Sequence, residues 1–207
     1  MSCSKDSLPN RSEELIELTR KGLGDGVTIQ ADANGSYDAQ KAIKIGRRLE
    51  CINAYLFEEP CPFAELEETK RVSDALTIPI SGGEQESSEY RFRWMISNNV
   101  LQIVQPDLHY YGGFVRSTRV ARMAARAGLP ITVHLSGGDT GFAEMANFCS
   151  LTPNIGKFQE LKQGVEETGK FFDPPILIRN GSLTVPHAPG MGMLHADDLL
   201  KNAKTVI

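Results

Sequence analysis

Short β-branched, apolar runs alternate along this chain with longer stretches of helical period. Val27–Ala31 predicts a strand. Asp38–Glu50 predicts a helix in which Ala42, Ile45 and Leu49 share one face. Ala54–Phe57 is the next predicted strand, closed by Pro60 and Pro62, which cannot donate to a ladder. Phe63–Leu76 then reads as a helix, Ile78–Ser81 as a strand, Glu86–Ser97 as a helix, and Val100–Gln105 as a strand broken by Pro106. Phe114–Ala127 is a helix stopped by Gly128. Ile131–His134 is a strand, Ala143–Leu151 a helix, and Gly156–Gln159 the last strand of the series. A helix over Asn10–Leu23, capped by Asn or Ser, stands before the first strand.

Strands alternating with helices of this length predict βαβ units and a parallel sheet. Two architectures use such units. An open, doubly wound sheet carries a glycine-rich phosphate loop after its first strand. Here Gly22-Leu23-Gly24-Asp25-Gly26 precedes a strand, which makes it a poor dinucleotide fingerprint. The alternative is a (β/α)8 barrel, whose chemistry sits at the C-terminal strand ends. The tail breaks the pattern. Pro174–Val185 sets an Asn180-Gly181 turn between two apolar runs, a hairpin signal, and Pro189–Leu200 does not extend the series. The expected class is therefore α/β. Residues 1–170 form about six βα units of a partial (β/α)8 barrel, and residues 171–207 form a C-terminal appendage.

Composition changes this picture little. With 207 residues, 41% apolar and 23% charged, the chain can bury one real core. Its net charge of −4 comes without a basic stripe, which argues against a nucleic-acid partner. No apolar run approaches the ~18 residues of a membrane span. The first six residues lack a signal-peptide core. Cys3, Cys51, Cys61 and Cys149 are scattered and show no CxxC spacing, so free thiols and a cytoplasmic location are expected.

The candidate chemistry lies at the strand ends. Asp32, Glu58, Glu84, Asp107, His134 and Glu160 follow one another at steps of 26, 26, 23, 27 and 26 residues. One βα unit of a barrel takes roughly 25–30 residues, so each unit offers one acid or base at the same station. On a barrel these stations ring one mouth. Three carboxylates from adjacent strands (Asp32, Glu58, Glu84) would repel one another in a pocket, and a hard divalent cation such as Mg²⁺ removes that repulsion. Asp107 can fix the tautomer of His134 and raise its basicity. A cation and a base together are equipment for taking a proton next to a carboxylate.

The motifs Asp32-Ala33-Asn34-Gly35, Glu58-Glu59-Pro60, Gly83-Glu84 and Gln105-Pro106-Asp107, with the His134 strand, resemble the mandelate racemase/muconate lactonizing enzyme subgroup of the enolase superfamily. Their order and spacing carry the resemblance, from about Asn10 onward. It implies Mg²⁺ on Asp32, Glu58 and Glu84, an Asp107–His134 dyad as base, and Glu160 near the developing oxyanion. It implies proton abstraction through an enediolate from a small-molecule carboxylate, most often in acid-sugar dehydratases and racemases, possible homo-oligomers among them. In a dehydratase the same histidine can protonate the leaving hydroxyl. The family also has a capping domain, which the segment 171–207 would pack against, and a Lys-x-Lys base. Neither is found here, so the chain is expected to begin after the second barrel strand, and a non-catalytic remnant is the alternative reading. Glu59 is taken as the bland neighbour of Glu58, and His109 as a pocket-wall or surface residue. His187 and His195 are expected in solvent.

Overall fold

The computed structural model describes residues 10–161, 177–185 and 187–192, except for the side chains of residues 138 and 139. Four βα repeats are regular. After helix α1 (Arg11–Leu23) come β1 (Gln30–Asp32), α2 (Ala39–Cys51), β2 (Leu56–Glu58), α3 (Leu66–Ala75), β3 (Ile80–Gly82), α4 (Glu89–Ser97) and β4 (Ile103–Val104). A four-residue turn of helix, α5 (Leu108–Tyr111), leads into α6 (Gly113–Arg126), and α7 (Gly138–Leu151) follows.

The strands pair in parallel in the order β1-β2-β3-β4. Each strand lies beside its predecessor and the order never reverses. A doubly wound sheet would have a switch point where it does. The sheet is instead an arc of a barrel, with helices on its outside. Phe57, Ile80, Val104 and Ile131 are almost completely buried and belong to one hydrophobic core. In α2 the predicted stripe packs inward: Ala42, Ile45 and Leu49 are buried, and Asp38 caps the helix by accepting from the Lys41 amide at 2.8 Å. Gly46 on that face is needed for close approach, since a Cβ there would lie 2.1 Å from the Leu76 side chain.

The fifth and sixth predicted strands are corrected. Ile131–His134 continues the parallel order only as isolated bridges, Val104 with Ile131 and Asp107 with His134, and beside it a single bridge joins Ile131 to Ile155, just before the predicted strand Gly156–Gln159. On the β4 side Pro106 has no N–H to continue the ladder, and on the other side one side chain intervenes. The Gln159 amide oxygen accepts the Val133 N–H at 3.0 Å, and its nitrogen donates to the carbonyls of Ile131 and Gly156. A side-chain amide thus takes the place of a backbone ladder.

Smaller shifts have similar causes. Val27 is 43% exposed and its carbonyl is taken by Arg20, so β1 starts later than the apolar pattern suggests. The α1 cap position, Asn10, makes no side-chain cap hydrogen bond. The Asn180-Gly181 turn does join two short antiparallel strands, β5 (Ile178–Arg179) and β6 (Ser182–Leu183). Most of the expected appendage 171–207, including His195, lies outside the described residues, as do Cys3 and residues 162–170. His187 is exposed. Among the described residues no helix is long and apolar enough to cross a membrane.

Candidate active site at the strand ends

The register gathers the acids. Asp32 and Glu58 are direct partners across β1 and β2, and Glu58 pairs with Ser81, three residues before Glu84. Asp107 and His134 are bridge partners. Five of the six sequence candidates, Asp32, Glu58, Glu84, His134 and Glu160, line a single cavity of about 350 Å³. The sixth, Asp107, is fully buried behind His134.

Asp107 has two tasks. Its Oδ1 accepts from the amides of His109 and Tyr110, at 2.7 and 2.8 Å, and so caps α5. Its Oδ2 lies 2.6 Å from His134 Nδ1. Burial works against the Asp107 charge, but the hydrogen bonds from His134 and the Tyr110 amide outweigh it and hold the group below the usual carboxylate value. An ionised carboxylate can only accept, so Nδ1 carries the proton. Nε2 then faces the cavity, 3.4 Å from Glu84 Oε2 and 3.8 Å from Glu160 Oε2. Burial would lower the affinity of His134 for a proton. The Asp107 hydrogen bond and the charges of Glu84 and Glu160 prevail and raise it. Glu160 is anchored by the Leu135 amide at 2.6 Å.

The remaining acids have too little counter-charge. Burial pushes Glu58 up to about 7, with Asp32 adding to the effect and a hydrogen bond from Gln105 opposing it. Burial pushes Glu84 up to about 7 as well, with Glu59 adding and His134 opposing. Among the described residues no Lys or Arg lines the cavity. As placed, no three His, Cys, Asp or Glu side chains among the described residues stand together closely enough to hold a metal ion. The donor set still fits a hard divalent cation in kind: oxygen ligands, on adjacent strands, carrying uncompensated charge. Asp32, Glu58 and Glu84 could close on an ion by side-chain rotation, because the backbone register already puts them on one rim.

Two neighbours were not singled out from sequence. Glu59 is buried, at 6% exposure, and is pushed up to about 7 by burial and then by Asp32 and Glu58. Its φ of 39° turns the chain at the strand end, and it lines a small neighbouring pocket with Cys61, Ser81 and Leu101 instead of the inner cavity. Gln85 donates to it at 3.2 Å. The Glu-Glu-Pro doublet at a strand end was the available signal. Tyr110 is the other. Its ring lies nearly parallel to that of His134, at 22° with centroids 6.5 Å apart. His109 turns away and pairs with Glu144 at 2.9 Å. Cys51, Cys61 and Cys149 are free thiols. Burial pushes both Cys61, where Glu68 adds to the effect, and Cys149 up to about 12.

A barrel arc with acids at successive strand ends and a carboxylate-held histidine defines a class of barrel-type α/β domains. The chain belongs to the enolase C-terminal domain-like family, whose pattern it matches over residues 5–198. An arabinonate dehydratase of Saccharolobus solfataricus is 29% identical over 191 residues, which are 92% of this chain and 51% of that protein. An L-talarate/galactarate dehydratase of Salmonella typhimurium is 30% identical over 166 residues, 75% of this chain and 42% of that one. A Roseobacter denitrificans protein, described provisionally as a racemase, has a crystal structure that superposes with a TM-score of 0.88 at 36% identity, over 98% of this chain and 57% of that chain. The chain thus spans about half the length of the curated relatives it matches.

Proposed function

We propose that this site removes the proton next to the carboxylate of an acid sugar and goes on to eliminate a hydroxyl, as a dehydratase. The observation that carries the reading is the pairing of an Asp107-held His134, with Nε2 turned to the cavity, and three acids on adjacent strand ends, Asp32, Glu58 and Glu84, in a cavity that no described Lys or Arg lines. Dehydratases among the relatives support the substrate class.

Asp32, Glu58 and Glu84 would hold one Mg²⁺. That ion, when bound, supplies positive charge for the substrate carboxylate as negative charge develops there. The chain's own residues do the rest. Asp107 keeps the proton on His134 Nδ1 and aims Nε2 inward. Nε2 accepts the α-proton, and Asp107 stabilises the imidazolium that results. The same imidazolium then returns the proton to the departing hydroxyl, which leaves as water. Glu160 lies close enough to Nε2 to contact the substrate at the reacting end.

Proton exchange tests this. Protein with Mg²⁺ and an acid sugar in D₂O should show loss of the α-proton signal, and His134→Asn should show none. If wild-type protein exchanges nothing across a panel of acid sugars, the reading fails. One observation favours a second reading, a chain that does not turn over: as placed, the acids form no closed three-ligand cage. A melt unchanged by Mg²⁺ would support it.

A further inference from the structure

Resting on that reading, we infer that Gln105 is a positioning residue of the cation site: its side-chain amide holds the Glu58 carboxylate where it can bind the ion. Strand β3 lies between β2 and β4, and the register aligns Glu58 with Ser81 and Ser81 with Ile103. Gln105 follows Ile103 by two residues, and its backbone amide carries the pairing on by donating to the Gly82 carbonyl at 2.9 Å. It therefore shares the face that Glu58 presents, and both line the inner cavity. Between them β3 offers only the short Ser81 side chain, whose Oγ makes no hydrogen bond among the described residues. The two long side chains meet across it, and Gln105 donates a hydrogen bond to the Glu58 carboxyl.

The chemistry of the pair suits an ion ligand. A carboxylate that binds a cation is ionised and can only accept, so the amide turns Nε2 toward it. A Lys or Arg in the same place would orient Glu58 but also repel the ion, whereas a neutral amide orients it and leaves its charge free. Asp32 needs no such partner. Its side chain is short, and its Oδ1 accepts the Asn34 amide at 2.7 Å. Glu58 has one more rotatable bond, and ordering a flexible ligand as the ion arrives costs affinity. Gln105 does that ordering in advance. It is 4% exposed, so its own amide is walled in beside the cavity.

The holder is itself held. Behind it stands the backbone bond to Gly82, and ahead of it Pro106, whose ring fixes φ and whose carbonyl accepts the His134 amide at 3.3 Å. Two residues beyond Gln105, Asp107 holds His134 Nδ1. The run Gln105-Pro106-Asp107 thus carries the partner of an ion ligand at one end and the partner of the base at the other.

Calorimetric titration of the full chain with MgCl₂ tests this. Gln105→Met keeps the length and nearly the volume of the side chain but removes the donor, and it should weaken Mg²⁺ binding by ~10-fold or more. Glu58→Asp keeps the charge but draws the carboxylate back from Gln105. In that background Gln105→Met should change the affinity by less than about twofold, because the contact is already gone. A residue that only fills space would show neither result. Wild-type affinity in Gln105→Met, an equal loss with and without the shortened carboxylate, or no saturable site in the wild-type protein would overturn the inference. The reaction is read separately. The expected pattern of binding, without α-proton exchange in any acid sugar, would sink the proposed chemistry and leave Gln105 in its role. Exchange by the wild-type protein, with unaltered Mg²⁺ affinity in Gln105→Met, would do the reverse.

Discussion

At the scale of single residues, Asp107 links the most. One oxygen caps α5 and the other orients His134. Asp107→Asn can still accept from the α5 amides, but it presents N–H₂ to His134 Nδ1. That forces the other tautomer and puts the proton on the atom meant to receive one. The proton-exchange rate should fall by ~10²–10⁴-fold. A loss under about threefold would remove the dyad from the mechanism. The six strand-end candidates were legible because each sits one βα unit beyond the last. Glu59 and Tyr110 were not. Period-2 alternation assigns Glu59 the opposite face from Glu58, and nothing in it foretells the positive φ that turns the chain there or the burial that raises its carboxyl. Tyr110 belongs to a helical turn too short to leave any period in the sequence.

At the scale of elements, ladders and caps decide where the apolar pattern ends. The sequence around Ile131–His134 has the composition of a strand, yet Gln159 substitutes for its neighbour. No residue pattern announces that exchange. Gln159→Leu would leave the Val133 N–H, in a residue fully buried, without its acceptor. A destabilisation of about 1–3 kcal/mol is expected, together with faster exchange of the Val133 amide. Loss of stability without that local signature would point to packing alone.

Helix α2 is tied to the entry of β3 by Glu50, which accepts from Thr77 Oγ1 at 2.8 Å, from the Ile78 amide at 3.2 Å, and from the Thr77 amide and Arg47. Burial opposes its charge, but these donors outweigh burial and bring Glu50 down to about 2. A carboxylate lowered on folding stabilises above its unfolded value, near 4.5, and loses that contribution as pH falls toward 2. Glu50→Gln should therefore lower stability by roughly 2 kcal/mol at neutral pH, with the gap from wild type closing as pH falls through that window. Denaturant melts at pH 7 and pH 3 measure it. A gap that widens in acid would contradict the assignment.

For the whole molecule, the sheet order carries the meaning. Four strands in sequence order with no reversal, continued by single bridges at Ile131 and Ile155, form an arc of a barrel, and an arc sends every strand end to the same rim. This is why residues about 26 apart in the chain meet in one cavity. The alternation of strands and helices made the class legible. The curvature could be chosen over a doubly wound sheet only by the misplaced glycine run and the regular spacing.

The claim beneath all of this is that one divalent cation completes the acids of the inner cavity. Calorimetric titration with MgCl₂ at pH 8 tests it most directly. The account predicts one saturable site per chain in wild-type protein, weakened by ~10–100-fold or more in Glu58→Gln, with the fold of the variant intact by circular dichroism. No saturable binding, or binding unchanged in Glu58→Gln, would contradict it.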